Sequence, residues 1–224
     1  MFEDLRNNFD FFIRNKIRFS RKNFVEKNLK SIERNDAENK YVKNILEDSF
    51  EKRSSASVKV LDIGCKNWFY ARGEYDFFKS FCNEVLLDGV EIDPYRLYTN
   101  LYNRYEVAKY YTRGIPANYI VGNLLEIEDK YDYIVWFLPF VLERPHKKWG
   151  LPMSFFCPEK MLAHAYDLLL PQGQMLIINQ GVYETSEQKA LLGQLGIKYC
   201  ELGLMENKHF AYKNERYGFL VCKD

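Results

Sequence analysis

The sequence predicts an α/β fold: a three-layer sandwich whose mostly parallel seven-stranded sheet carries helices on both faces, preceded by an N-terminal helical extension. Three observations predict it. From Val58 onward, seven short β-rich runs follow one another. The central runs are apolar throughout, as in strands buried on both faces. Helical stretches such as Glu159 to Leu170 and Glu184 to Leu195 separate them. The 224 residues are 47% hydrophobic and 28% charged, which excludes a disordered chain and a collagen. One full core plus an extension suits this length.

Residues 1–53 form the extension and 58–224 the sheet domain. Phe2, Leu5, Phe9 and Phe12 recur at helical spacing, as do Phe24, Val25, Leu29 and Ile32. Tyr41, Ile45 and Leu46 continue the pattern weakly, giving two or three amphipathic helices that end near Glu51. Lys52 to Ser57 reads as a short linker. Residues 1–57 carry 13 Lys/Arg against 10 Asp/Glu. Five basic residues, Arg14, Lys16, Arg18, Arg21 and Lys22, crowd one stretch. A run of this kind is usually a solvated helix face, so nucleic acid is not the expected partner. A formal net charge of +1 gives no global reason to expect a polyanion.

The strands are expected at Val58–Ile63, Val85–Ile92, Tyr119–Val121, Tyr133–Leu138, Met175–Asn179, Ile197–Leu202 and Tyr217–Cys222. The polar connection from Met205 to Arg216 suits a hairpin-like return. The longest apolar run, Ile134 to Leu142, is broken by Pro139 and is far short of the about 20 residues a membrane span needs. The N-terminus lacks the order of a signal peptide, and the five cysteines form no C-x-x-C pair. A cytoplasmic protein with reduced thiols is expected. The three histidines are too scattered for a zinc site, so no metal is expected.

In open α/β sheets ligands bind beyond the carboxyl ends of the strands, near the switch in strand order. The first run ends Leu61-Asp62-Ile63-Gly64-Cys65-Lys66-Asn67-Trp68. A glycine there brings backbone close to a ligand without a Cβ in the way, and Asp62 can accept from a ligand amine or a bridging water. The second ends Gly89-Val90-Glu91-Ile92-Asp93-Pro94. A carboxylate at that point can take both hydroxyls of a ribose; Asp93 is the better helix cap, with Pro94 opening the helix. The third gives Gly122-Asn123-Leu124, where an amide can pair with an adenine edge or simply make a turn.

This order of endings resembles the class I S-adenosylmethionine-dependent methyltransferases, a Rossmann-like family. Their first motif is D-x-G-x-G-x-G, half matched by Asp62 to Cys65. Their second is an acidic strand end, matched by Glu91. Their third is commonly G-D-A, matched in part by Gly122-Asn123-Leu124. Their fourth, an aspartate opening the fourth strand, is matched by Asp132. Leu168 to Ile178 resembles their L-x-x-L-K-P-G-G helix-to-strand passage. The resemblance covers residues 58–222. It implies a methyltransferase using S-adenosylmethionine and a small-molecule acceptor. The cofactor would lie against Asp62, Gly64, Cys65, Lys66, Asn67, Trp68, Glu91, Ile92, Asn123, Leu124 and Phe137. The motif's second and third glycines are Lys66 and Trp68 here, so a different loop is expected, with Trp68 either core or a cover over the cofactor. This departure leaves room for an inactive methyltransferase-like binding module. A nicotinamide-dependent oxidoreductase would need G-x-G-x-x-G after the first strand and a sheet parallel throughout.

The segment from Phe137 to Pro158 is long and rich in Pro, Trp, Phe and charge, and such segments are often functional. It faces the acceptor in the family resembled. His146 and Glu143 are the candidate bases, should the acceptor need to lose a proton.

Overall fold

The computed structural model describes residues 2–17, 32–99 and 101–224. The predicted helix around Phe24 to Leu29 lies outside them, as do Arg18, Arg21 and Lys22 of the basic run. Seven helices and seven strands are formed by the described residues. They are α1 (Phe2–Ile17), α2 (Ile32–Ser49), β1 (Ser55–Ile63), α3 (Ala71–Lys79), β2 (Cys82–Glu91), α4 (Arg104–Tyr111), β3 (Ala117–Val121), β4 (Tyr131–Phe137), α5 (Glu143–Lys148), α6 (Pro158–Leu168), β5 (Leu169–Gln180), α7 (Gly181–Gln194), β6 (Tyr199–Leu204) and β7 (Arg216–Cys222). Single turns of 3-10 helix at Leu124–Glu126 and Met153–Phe155 complete them.

All strands join one sheet in the order β3-β2-β1-β4-β5-β7-β6. Strands β1 to β5 pair in parallel. Strand β7 runs antiparallel to both β5 and β6, so the polar Met205–Arg216 connection is the hairpin-like return read from the sequence. An antiparallel last strand also separates this sheet from the all-parallel dinucleotide-binding kind. The chain order turns back between β1 and β4, which puts the switch point at their carboxyl ends.

Both faces of the sheet are covered, and this is why its central runs are apolar throughout. One core holds Val60, Phe77, Phe78, Tyr133, Val135 and Leu176. The other holds Leu61, Ile134, Leu162, Leu168, Ile177 and Phe219. Helix α2 adds Tyr41, Val42, Ile45 and Leu46 to the first of these. Its end is fixed by Gln174, which accepts from the Glu51 N–H at 3.0 Å and donates to its carbonyl at 3.2 Å. Asp132, which opens the fourth strand, accepts from the Lys59 N–H at 2.8 Å and ties β4 to β1.

Helix α1 inverts its expected amphipathicity. Phe2, Leu5, Phe9 and Phe12 are exposed. The helix is held instead through polar groups: Asp4 accepts from the Met153 N–H, and Asn7 donates to the carbonyls of Lys147 and Leu151. Phe11 packs on Phe155. These specific bonds to the segment after β4 outweigh the stripe's preference for burial. The segment itself is no plain loop, since it contains α5 and a 3-10 turn.

Candidate active site

One cavity of about 350 Å³ opens at the carboxyl ends of β1, β2, β4 and β5. That is within the range of small-molecule sites. Gly64, Lys66, Glu91, Ile92, Asn123, Leu124 and Phe137 lie on its wall, so the first three strand endings converge as the sequence reading required. His146 also lines it. The rest of the wall is largely apolar and aromatic.

Gly64 adopts φ +73°, and a Cβ there would meet nothing within 4 Å, so its backbone stands bare. Lys66 and Trp68 have φ of 58° and 45°. The alternate positions that a D-x-G-x-G-x-G strand ending gives to glycine are therefore all left-handed. Two side chains are thus carried in a backbone region that favours glycine, at a strain of roughly 1–2 kcal/mol each.

Trp68 is fully buried and is core, not cover. Its indole N–H donates to Glu74 Oε2 at 2.9 Å. Room for the ring comes from Gly89 on β2, where a Cβ would sit 2.7 Å from the indole. Cys65 is equally buried, and burial pushes its thiol up, away from any thiolate role. Asn67 is also absent from the cavity wall, and its side-chain oxygen is buried without a partner.

Asp62 is fully buried and does not line the cavity, although its neighbour Ile63 does, and neither of its carboxylate oxygens has a well-formed hydrogen bond. Burial pushes its carboxyl up to about 7. The neighbouring Glu74 is also raised, by burial and by Asp62.

Glu91 is more committed than a ribose-binding carboxylate needs to be. Its Oε1 accepts from the Asp93 N–H at 2.7 Å and from Arg104 at 3.1 Å, and its Oε2 from the Lys66 N–H at 3.0 Å. A carboxylate offers about four lone-pair sites, so one is left for a ligand rather than two. Asp93 caps no helix. It pairs with Arg14 of α1 and with Arg96, and lies 3.8 Å from Arg104. Helix α4 starts ten residues after Pro94, capped by Asn103 in a reciprocal box with Glu106. The indole of Trp149 stands between the Lys66 ammonium, 4.9 Å away, and the Arg104 guanidinium, 5.3 Å away. Burial lowers the Lys66 pKa, with the charge of Arg104 adding to it. Asn123 lines the cavity and uses its carbonyl oxygen to accept from the Leu125 N–H at 3.1 Å.

The two candidate bases part company. Glu143 is exposed, ion-paired with Lys147 at 2.6 Å, and off the wall. That removes it from the site. His146 is buried, between the rings of Phe140 and Phe156, and its Nε2 lies 2.9 Å from the Pro152 carbonyl. A carbonyl only accepts, so Nε2 carries the proton and Nδ1 is the basic nitrogen. Burial lowers the pKa of the ring, which is neutral near pH 7.

Several wall residues had no signal in the sequence. They include Tyr41 from α2, Gln188 from α7, and Tyr212 and Arg216 from the β6–β7 return. They sit far apart in the chain and belong to no motif. Among the described residues no cluster could hold a metal ion, and no helix is long and apolar enough to cross a membrane.

No family model matches the chain, and no curated protein does. Solved structures match over nearly its whole length. A SAM-dependent methyltransferase from Aquifex aeolicus is 15% identical, covering 90% of this chain and 100% of its own, with a TM-score of 0.60. The magnesium protoporphyrin IX methyltransferase of Synechocystis PCC 6803, with bound SAM, is 13% identical over 99% and 97%, with a TM-score of 0.54. A methyltransferase from Pyrococcus furiosus is 18% identical over 80% of each chain, with a TM-score of 0.52. Seven strands in the observed order, the reversed β7 and these likenesses agree: the chain has the fold of the class I SAM-dependent methyltransferases.

Proposed function

We propose that this chain transfers a methyl group from S-adenosylmethionine to a small apolar acceptor. The carrying observation is one continuous cavity with Gly64, Glu91 and Asn123 on its wall together with an aromatic chamber built from Tyr70, Phe137, Phe140 and Tyr212. The residues fit the cofactor. The bare backbone of Gly64 leaves room for the methionine part. Glu91 keeps one lone-pair site for a ribose hydroxyl. Asn123 and Leu124 would flank the adenine, with Ile92 and Phe137 completing the contact. When bound, S-adenosylmethionine supplies an activated methyl on a sulfonium.

The chain's own contribution is alignment and exclusion of water, which do much of the work in a displacement of this kind. His146 can take a proton only at Nδ1, and its low basicity suits an acceptor that needs little help. The test is calorimetric titration with S-adenosylmethionine and S-adenosylhomocysteine. Saturable heat with both is expected. No heat at millimolar ligand would overturn the reading and leave a methyltransferase-like module.

A further inference from the structure

On the chamber wall Arg216 is a cation without an ion-pair partner among the described residues. Arg216 opens β7, and because β7 is antiparallel its first residue lies at the carboxyl end of β5, opposite Gln180. Its guanidinium is half-buried on the cavity wall. Among the described residues no carboxylate comes within 4 Å of it, whereas Arg14, Arg96 and Arg104 all have one. One of its five N–H groups donates to the neutral Oε1 of Gln180 at 3.2 Å. Its carbon lies 4.6 Å from the centre of the Tyr212 ring, which holds the guanidinium plane without discharging it. Glu184 is the acid in this neighbourhood, and its carboxylate is turned to the Gln180 N–H at 3.0 Å. Burial lowers the pKa of Arg216, ahead of any neighbour's effect. Partial desolvation therefore works against a charge that Glu184 offsets only at a distance, without an ion pair. Much of the remaining wall is apolar or aromatic: Tyr41, Val42, Phe69, Tyr70, Phe137 and Ile178 come from α2, the β1–α3 turn, β4 and β5.

We propose that Arg216 is the specificity-determining contact of the acceptor chamber, and that the acceptor is an apolar molecule bearing a carboxylate that Arg216 binds. A planar fork of donors meets a carboxylate through two parallel hydrogen bonds, an interaction about twice as strong as neutral ones. The surrounding rings give the acceptor's apolar body its place. The assignment rests on the methyltransferase reading for the word acceptor; the anion subsite itself is a property of this chain's own residues.

The probes are 2-naphthoate and its neutral isostere 2-naphthamide, titrated by calorimetry into the full chain saturated with S-adenosylhomocysteine, and into the chain alone. The naphthoate is expected to bind about tenfold more tightly than the amide, in line with one charge-assisted pair in a half-buried site. Arg216→Gln is expected to abolish that preference and leave naphthamide affinity unchanged, while Arg216→Lys keeps part of it. Thermal melting and S-adenosylhomocysteine titration of each variant report whether the fold and the cofactor end are intact. Equal affinities for the two probes, no binding of either at millimolar concentration, or a preference that survives Arg216→Gln overturns the proposal. If S-adenosylhomocysteine gives no heat while the naphthoate preference holds and depends on Arg216, the subsite stands and the cofactor reading falls.

Discussion

Replacing Gly89 by alanine tests how this chain accommodates the Trp68 ring beneath the turn after β1. Gly89 pairs with Asp62 of β1 on one side and with Tyr119 of β3 on the other. A Cβ there would lie 2.7 Å and 2.8 Å from two carbons of the Trp68 ring and 2.9 Å from the Cys65 sulfur. Ordinary contact needs 3.4 Å or more, so the indole must shift by nearly an ångström. It has nowhere to go, being fully buried with its N–H held by Glu74 at 2.9 Å. Overpacking of this kind costs about 1–3 kcal/mol, and losing the bond to buried Glu74 adds about 1–3 kcal/mol. A sum near 3 kcal/mol corresponds to a fall in Tm of roughly 6–12 °C for a domain of this size. Urea and thermal melts measure it. A double-mutant cycle with Trp68→Phe attributes it, because the smaller ring admits the new methyl and the alanine penalty shrinks in that background. An alanine variant as stable as the parent, or a penalty unchanged by Trp68→Phe, would refute the packing argument.

Glu91→Gln leaves Arg104 buried with a weaker partner, which costs up to about 3–5 kcal/mol, and S-adenosylhomocysteine affinity falls with it; unchanged melting would show that Asp93 alone suffices for Arg104. Arg14→Ala removes a partly buried pair with Asp93 and loosens α1. Amide exchange in α1 should rise while the global melting temperature moves little, and equal protection in the variant would contradict this. Asp62 is raised from 3.8 to about 7, so the folded state binds its proton more tightly than the unfolded chain. Its contribution to stability is full below pH 3.8 and is lost as pH rises through about 7. Urea midpoints of Asp62→Asn between pH 5 and 8 should therefore fall less steeply than those of the parent, and parallel curves would exclude Asp62 as the cause.

The strand endings were legible because they are local. Gly64 needs a bare backbone and Glu91 a strand end, and each is written within a few residues. The loop's left-handed backbone was not, because Lys66 and Trp68 disfavour it by composition. Room for the Trp68 ring in that turn comes from Gly89, more than twenty residues away and adjacent only once β1 and β2 pair. Glu143 and His146 look equivalent in a charged segment. Turning that segment into α5 sends one carboxylate to solvent and seals the imidazole between two phenyl rings. The stripe on α1 was legible as periodic, but not that it faces outward, because hydrogen bonds from Asp4 and Asn7 to a distant segment set the helix's orientation.

By itself the sequence determined the class of fold, the number of strands and the three strand ends that meet at the switch point. Those follow from periodicity and chain punctuation, which act over a handful of residues. Only the tertiary structure decided which groups share the cavity, how many lone pairs Glu91 keeps and that Arg216 stands there without an ion-pair partner. Burial, hydrogen-bond satisfaction and charge pairing are properties of neighbours in space, and the neighbours come from widely separated stretches of chain.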